Sequence, residues 1–417
     1  MQRVLVVLPF YGGSLPVGRY CAAALREIGC VAETFESPSF FSAFNAVKSL
    51  RVSAARLEYL ENSFLQVVTQ SVLATVESFE PDLVLSMAQA PMSRQGLSRL
   101  RKDGVATAMW FVEDYRLFTY WRAFAPLYDV FAVIQKEPFL SELAAAGVPN
   151  ALYLPMAADP AVHRPLELSP ADRDSFGAEL SFMGAGYPNR RTAFRQLTQY
   201  GLKIWGTEWD DDPVLAPYVQ MQGRRIGAED TARIFNAASI NLNLHSSVKA
   251  DELVPHGDFV NPRTFEIAAC GAFQLVDKRS LMPELFAADD LATFENIGEL
   301  KEKIEYFATR EEERSAFAER SRNRVLADHT YAARMRTLLD FVAGRLPRKP
   351  DEKTRNWPED LPENLRGELQ ELYASMGLPS RASFADVVAA VRRKNDKLTP
   401  LETAILFLDE WKKQYSL

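Results

Sequence analysis

The sequence predicts an α/β protein made of two doubly wound domains followed by a helical tail. Short apolar runs typical of buried parallel strands alternate with stretches whose apolar residues recur about every 3.6 positions. This alternation occurs in two series, separated by the proline-rich segment Tyr153 to Pro165. A chain of 417 residues is long enough for two or three domains. We therefore expect domains at residues 1–155 and 156–345, and a helical tail at 346–417.

Five apolar runs in the first domain are predicted to be its strands. Because helical sequence follows each of them, the strands should be parallel and covered on both faces. The loops at the carboxyl ends of such strands line a ligand cleft. The first of these loops contains Gly12 and Gly13, which permit close approach of a sugar or an acceptor, although a plain strand-to-helix turn explains them almost as well. The predicted strands are Val4–Phe10, Cys30–Phe35, Asp82–Met87, Val105–Phe111 and Asp129–Ile134.

The second domain contains the most informative stretch of the chain, NPRTFEIAACGAFQLVD. Asn261 suits a helix N-cap, Pro262 suits the first helical position, and Gly271 suits the left-handed position after the last turn. The N-terminus of such a helix attracts phosphate, and Arg263 adds a full positive charge there. Glu266 lies one turn further on a largely apolar helix, so it needs a partner. The predicted strands of this domain are Ala178–Gly184, Leu202–Gly206, Ser239–His245 and Ala272–Asp277.

Seven residues separate Asp258 from Glu266. This D-x7-E spacing resembles the pattern "Glu, seven residues, Glu" of nucleotide-sugar glycosyltransferases with the two-domain GT-B fold. With NPRTFEIAACGAF, WFVEDYRLFTYW and HTYAARMRTLL, the chain is similar to the CgeB-like glycosyltransferases, the spore-maturation-protein family, over roughly residues 1–340. The resemblance implies two Rossmann-like domains that face a cleft, with the donor in the second domain and the acceptor in the first.

The resemblance also implies a donor site in the second domain. The loop FMGAGYPNRR supplies glycines that admit a phosphate, and Arg190 falls where many GT-B enzymes carry a basic diphosphate ligand. A position that is often Arg in the family is Ala185 here, so the second positive charge must come from Arg191 or Arg263. The expected donor-binding residues are Gly184, Gly186, Arg190, His245, Asn261, Arg263 and Glu266.

Each of these assignments has a structural alternative. Arg190 and its neighbour also suit a solvated helix start. Glu266 is implied to accept hydrogen bonds from ribose or sugar hydroxyls, but a buried carboxylate can instead cap a backbone amide. Asp258 is implied to bind the sugar at the catalytic centre, although its GDF context is also plain loop sequence. His245 ends a predicted strand, where it can contact phosphate or act as a core or capping histidine.

Two carboxylates follow a buried strand of the first domain. Glu113 and Asp114 follow VATAMWF after one intervening valine, where a general base or a ligand of the acceptor hydroxyl is expected. We favour Asp114 over Glu113 by a small margin as the catalytic residue. The aromatic residues that follow suit either a sugar-stacking platform or packing beneath the cleft. They are Tyr115, Phe118, Tyr120 and Trp121.

Composition excludes some partners and indicates others. A net charge of -7 argues against binding to nucleic acid. The three cysteines lack the spacing of a metal site or a redox pair. No run approaches the 18 or so apolar residues of a membrane span. We therefore expect a cytoplasmic protein with no leader segment. The run Asp210–Asp212 precedes a proline instead of ending a strand, so we interpret it as a solvated loop. No metal and no cofactor are expected, because helix N-termini and basic side chains can neutralise a leaving diphosphate.

We therefore predict a metal-independent, hexosyltransferase-like enzyme that moves a sugar from a nucleotide-diphosphate donor to a hydroxyl acceptor on a glycan, a protein or a cell-surface component, with retention favoured. A non-catalytic sugar-binding or scaffold protein with the same fold is the alternative. A dinucleotide-dependent oxidoreductase is disfavoured, because the first loop, GGSLPVG, lacks the Gly-x-Gly-x-x-Gly order. The amphipathic tail needs an apolar partner surface, which either domain or a second subunit in a homo-oligomer can supply.

Overall fold

The computed structural model describes residues 2–346, 362–379, 382–394 and 396–415. Within these residues the chain forms two parallel β-sheets with helices on both faces, which confirms the predicted α/β class. The strands of the first sheet are β1 (Arg3–Val7), β2 (Val31–Phe35), β3 (Leu83–Met87), β4 (Ala106–Phe111), β5 (Val130–Val133) and β6 (Ala151–Tyr153), in the order β2-β1-β3-β4-β5-β6. Those of the second sheet are β7 (Ala178–Met183), β8 (Leu202–Trp205), β9 (Ala238–Asn243), β10 (Gln274–Asp277) and β11 (Ala292–Phe294), in the order β11-β10-β9-β7-β8.

Helices connect the strands as parallel crossovers require. Around the first sheet they are α1 (Ser14–Glu27), α2 (Phe41–Lys48), α3 (Ala54–Phe79), α4 (Arg94–Lys102), α5 (Trp121–Phe124) and α6 (Phe139–Ala145). Around the second sheet they are α7 (Pro170–Phe176), α8 (Pro188–Phe194), α9 (Ala228–Ala237), α10 (Pro262–Ala269), α11 (Ile297–Ala308), α12 (Glu311–Asp328) and α13 (Tyr331–Arg345). The tail contains α14 (Glu363–Ser375), α15 (Phe384–Arg392) and α16 (Pro400–Tyr415).

The continuous apolar sequence of β1 follows from burial on both faces. Val4 and Val6 pack with α1 and α13, whereas Leu5 and Val7 pack on the opposite face with α3 and α4. All four side chains are fully buried. A strand that is covered on both faces shows an apolar run instead of alternation, as the sequence indicates.

The last helix of the second sheet returns to the first. α13 packs against α1. Arg334 on α13 donates hydrogen bonds to the carbonyl oxygens of Pro155 (2.7 Å) and Met156 (3.0 Å), which lie in the segment Tyr153 to Pro165 between the two sheets, here called the connecting segment. The same segment pairs with the start of α13 through Ala158 and Thr330. The two sheets are therefore joined by the connecting segment and by α13 together.

Two short strands are not predicted by the sequence patterns. β6 and β11 have three residues each, too few to show a period, and β6 ends at Tyr153, where the predicted linker begins. Both lie at sheet edges, where pairing with a neighbouring strand defines them.

The tail packs at the amino end of the first sheet. Its helices enclose a small apolar cluster of their own, and Asp386 on α15 forms a buried ion pair with Arg3 at the start of β1. Arg393 pairs with Glu33 of β2 at 3.2 Å. The partner surface of the tail is thus the first domain, at the edge opposite the loops that follow the strands, while a role in oligomerisation stays a prediction. The sequence PRKPDEK (347–353), whose prolines and charges predict the break between the second domain and the tail, lies outside the described residues.

Candidate functional site

A buried network fixes the start of α10 at the carboxyl edge of the second sheet. The Asn261 side chain accepts a hydrogen bond from the Thr264 N–H (3.1 Å), which confirms the predicted N-cap. It also donates to Asn243 Oδ1 at the end of β9 (2.8 Å). The backbone N–H of Asn261 donates to His245 Nε2 (2.9 Å). Helix α10 therefore begins at a fixed position relative to β9.

His245 is a positioning residue within this network. Because its Nε2 accepts from Asn261, the ring proton is on Nδ1, which lies 2.7 Å from Asp277 Oδ1. Burial lowers the pKa of His245, so the ring is neutral. Burial alone would raise the pKa of Asp277, but His245 and Arg279 lower it below its ordinary value. Both ring nitrogens are occupied, so the predicted direct contact of His245 with phosphate is corrected to a role in holding the helix start.

Removing this imidazole is expected to destabilise the second domain. His245→Ala removes the ring hydrogen bond to the buried Asp277 carboxylate, which keeps Arg279 and the backbone N–H of residue 245, and it leaves the Asn261 N–H without a partner, at a cost of about 1–3 kcal/mol. Urea denaturation measures the change, and His256→Ala is the matched control because His256 is exposed. Equal stability of the two variants would contradict the assigned role.

Glu266 has the partner that its buried position demands. Its side chain, 6% exposed, forms an ion pair with Arg263 one turn earlier on α10. The other carboxylate oxygen lies 3.9 Å from Nε2 of His163, which belongs to the connecting segment. The structure thus brings the two predicted donor ligands Arg263 and Glu266 together, next to the segment that joins the sheets.

The arginines after β7 hold loops together. Arg190 donates to the carbonyl oxygens of Leu244 (2.7 and 2.9 Å) and Ala185 (3.0 Å), and burial lowers its pKa to about 10. Arg191 donates to the carbonyl oxygen of Gly186 (2.7 Å). Both side chains therefore hold the surrounding loops together. The alternative interpretation, in which they lie in solvent at the start of a helix, is wrong.

The glycines of this loop are explained by close packing. A Cβ on Gly186 would lie 2.1 Å from the carbonyl oxygen of Glu208, so the loop after β8 leaves no room for a side chain there. At Gly184 a Cβ would lie 3.0 Å from the ring of Phe182. Their predicted contact with phosphate stays a prediction, since packing alone accounts for Gly186.

Asp258 joins the two domains across the cleft. Its Oδ1 accepts a hydrogen bond from Nε2 of Gln135 (2.8 Å), which is the second residue after β5 of the first sheet. Its Oδ2 lies 3.8 Å from Arg116 and, among the described residues, has no hydrogen-bond partner although it is buried. Gln135 in turn accepts from the Tyr115 N–H (3.1 Å). The loop after β4 therefore faces the segment that leads into α10.

The two first-domain carboxylates occupy different environments. Glu113 accepts hydrogen bonds from the Tyr120 hydroxyl (2.8 Å) and the Gln89 amide, and burial raises its pKa. Asp114 uses Oδ1 to accept from the Arg116 N–H (2.9 Å), which stabilises the turn of its own loop. A desolvated carboxylate with a raised pKa is the better proton acceptor. The preference for Asp114 over Glu113 as the catalytic residue stays a prediction, and Glu113 is the one of the two whose carboxylate is held in a buried hydrogen-bonded unit.

The aromatic residues after this loop are mainly core residues. Tyr115 stacks on Phe139 with 4.2 Å between ring centroids, and the fully buried Trp121 packs on the same ring at 4.8 Å. A sugar-stacking role for these two is therefore wrong. Phe118 is 36% exposed, and Tyr120 contacts Glu113.

The loop after β1 also reaches the second domain. Gly12 has φ of +98°, a conformation that favours glycine, and its carbonyl oxygen accepts from Arg225 (2.6 Å). Gly13, which follows it, is exposed. The structure thus places both glycines at the cleft, where contact with a sugar or an acceptor stays a prediction.

The acidic run Asp210–Asp212 differs from its prediction at one position. Asp212 is only 1% exposed, accepts from the Val214 N–H (3.1 Å) and pairs with Arg195 (3.0 Å). It is a structural cap and not part of a solvated loop. Across the part of the chain that the structure describes, no group of three or more His, Cys, Asp and Glu residues is placed to hold a metal ion.

Several residues of the site were missed by sequence reasoning. Gln135 follows a buried strand and Asp277 ends one, so the rule that identified Glu113 would have identified them too. Arg116 and Arg225 carry no such pattern, because they reach the cleft from positions set by loop geometry.

Comparisons with known proteins agree with this architecture. The Glycosyl transferase-like family matches residues 190–340, which include α10 and its network. Spore protein CgeB of Bacillus subtilis is 25% identical over 258 residues, covering 59% of this chain and 78% of that protein. No helix among the described residues has the length and apolar character needed to cross a membrane.

Solved structures share the fold at low sequence identity. Sucrose-phosphate synthase from Thermosynechococcus elongatus has a TM-score of 0.57 and 12% identity, covering 82% of this chain and 99% of that chain. Anabaena HepE, solved in complex with UDP and glucose, has a TM-score of 0.57 and 11% identity, covering 82% and 100%. These similarities confirm the two-domain GT-B fold.

Proposed function

We propose that this chain, a CgeB-like glycosyltransferase of the GT-B fold, transfers a sugar from a nucleoside-diphosphate donor to a hydroxyl acceptor. The observation that carries the proposal is the contact between Asp258 and Gln135, because it sets the Glu113 loop opposite the start of α10. A donor bound at α10 and an acceptor bound beside Glu113 would then meet at Asp258.

The donor half of the proposal depends on α10. Its N-terminus supplies partial positive charge, and Arg263 supplies a full charge within one turn of Asn261. Glu266 orients Arg263 through their ion pair and is proposed to accept hydrogen bonds from donor hydroxyls. This arrangement would neutralise a leaving diphosphate with the protein's own groups, so we propose a reaction without a metal or another cofactor.

The acceptor half depends on Glu113. The acceptor oxygen bonds to the anomeric carbon as the bond from that carbon to the diphosphate oxygen breaks. Under inversion, Glu113 takes the hydroxyl proton. Under retention, which we favour from the D-x7-E spacing, the leaving phosphate takes the proton and Glu113 orients the acceptor. Determining the product anomer by NMR separates the two mechanisms.

Removing the Arg263 charge is expected to weaken nucleotide binding. A charge-assisted hydrogen bond contributes roughly 1.5–3 kcal/mol, so Arg263→Ala should raise the Kd for UDP by about 10- to 150-fold. Isothermal titration with UDP measures this change. Arg224→Ala is the matched control, because Arg224 is exposed on the same domain. An unchanged Kd in Arg263→Ala would exclude this residue from the donor site.

A direct test of the proposed function uses the purified chain and a panel of nucleotide sugars, starting with UDP-glucose because HepE was solved with UDP and glucose. Release of the nucleoside diphosphate together with a glycosylated product supports the proposal. Nucleotide binding without release of product under any donor would favour the alternative, a non-catalytic protein with the same fold.

A further inference from the structure

A cavity of about 510 Å³ lies in the first domain at the carboxyl edge of its sheet. Its walls come from the loops after β1 and β3 and from α2, α3 and α5. Six aromatic side chains line it: Phe10, Tyr11, Phe44, Tyr120, Phe124 and Tyr128. We call it the first-domain cavity. Its volume lies within the range of about 300–1,000 Å³ that is typical of small-molecule sites.

The cavity is connected to the proposed catalytic carboxylate. Gln89 and Tyr120 both line it, and both donate side-chain hydrogen bonds to Glu113. The Tyr120 hydroxyl also accepts from the Gln89 N–H (3.0 Å), so these three residues form one unit. A hydroxyl bound at this end of the cavity would contact Gln89 and Tyr120, the two residues through which the cavity connects to Glu113.

A further polar group lies in the cavity wall. Tyr128 is 4% exposed, and its hydroxyl lies beside the Ser86 hydroxyl, which acts on it as a neighbouring hydrogen-bonding group.

The chemistry of the wall distinguishes between classes of acceptor. A sugar or glycan presents many hydroxyl groups, and each would lose its water here against apolar rings that cannot replace it. A ligand with an aromatic or aliphatic body buries its apolar surface against these rings and requires few polar contacts. The wall also carries polar side chains, among them Asn62, Gln66 and Arg94, and its Gln89 and Tyr120 end contacts Glu113.

We propose that the first-domain cavity binds the apolar body of a small hydroxyl-bearing acceptor, such as a phenol or a polycyclic alcohol, with the hydroxyl directed toward Glu113. The transfer step rests on the proposed function, whereas the binding step does not. In that step the acceptor oxygen bonds to the anomeric carbon, the nucleoside diphosphate leaves, and the proton passes to Glu113 or to the leaving phosphate.

The test uses 1-naphthol as the probe and the full chain without nucleotide. Leu65→Trp adds bulk from half-buried Leu65 of α3 into the cavity, and Val67→Trp is the matched control because Val67 is 60% exposed on the same helix. We expect Leu65→Trp to raise the naphthol Kd at least tenfold and Val67→Trp to leave it within twofold. Ala90→Leu, in the loop after β3, fills the cavity from another wall if Leu65→Trp fails to fold.

The outcomes separate this inference from the proposed function. Loss of naphthol binding in the filled variants, with UDP affinity unchanged, supports the cavity as the acceptor site. Absence of naphthol binding to the wild type, or binding that the filled variants retain, overturns it even if donor turnover is observed. Equal transfer to a glycan acceptor by wild type and Leu65→Trp also overturns it. If naphthol binds as expected but no donor is turned over, the proposed function fails while the binding site stands.

Discussion

Replacing Glu113 with glutamine is expected to lower the rate of glycosyl transfer by roughly 10²–10⁴-fold if Glu113 takes the acceptor proton. The change keeps the shape of the side chain and removes its charge. Steady-state release of nucleoside diphosphate measures the loss, and UDP affinity should be unchanged because Glu113 lies in the other domain. Under retention the loss should be smaller, since the leaving phosphate then takes the proton.

The neighbouring carboxylate provides a matched control. Asp114→Asn keeps an oxygen that can accept from the Arg116 N–H, so it should lower turnover less than Glu113→Gln. Full activity in Glu113→Gln together with a large loss in Asp114→Asn would support the sequence-based preference. Full activity in both variants would remove this loop from the mechanism.

The pH dependence follows from the environment of Glu113. Burial raises its pKa, and a base works only when it is ionised. Under inversion kcat/KM should therefore fall as the pH drops through a value above the ordinary carboxyl range, and Glu113→Gln should lack that acid limb.

Replacing Asp386 with asparagine is expected to cost about 3–5 kcal/mol of the interaction between the tail and the first domain, because it leaves a buried arginine without its counter-charge. Arg3 is 6% exposed and Asp386 is 1% exposed, so water cannot compensate the guanidinium while the tail remains docked. Arg3 also donates to the carbonyl oxygen of Phe79 (2.9 Å), which holds it in place. Asparagine retains an oxygen for the helix cap that Asp386 forms with Ser383 (2.8 Å).

Hydrogen exchange localises this effect. Amide protection in α15 should fall sharply in Asp386→Asn, while protection in the second sheet should stay as in the wild type. Asp396→Asn is the control, because Asp396 is exposed in the same tail. Transfer activity should survive, since the ion pair lies at the amino end of β1, away from the cleft. Unchanged protection in α15 would show that the pair does not hold the tail.

Much of the fold follows from local patterns. The run Asn261 to Gly271 predicts a helix start, a helix and a stop, and the structure has α10 with an Asn261 cap and a left-handed Gly271. Long apolar runs predict buried parallel strands for the same reason, since each pattern reflects interactions within a few residues. Local patterns do not predict the three-residue strands β6 and β11, because only their pairing with distant strands defines them.

The features of the site also separate into those set by local sequence and those set by long-range packing. Local sequence patterns are sufficient to predict the two-sheet architecture, the capped start of α10, and the presence of carboxylates after β4, because capping and burial act locally. Which groups remain free to bind depends on how the distant parts of the chain pack. In the packed structure both ring nitrogens of His245 are hydrogen-bonded to Asp277 and Asn261, and Arg190 donates to the carbonyl oxygen of Leu244. Glu113 contacts Gln89 and Tyr120, two residues that line an aromatic cavity. Such partners come from residues distant in the chain, so their hydrogen bonds and desolvation are fixed only when the sheets and loops pack together.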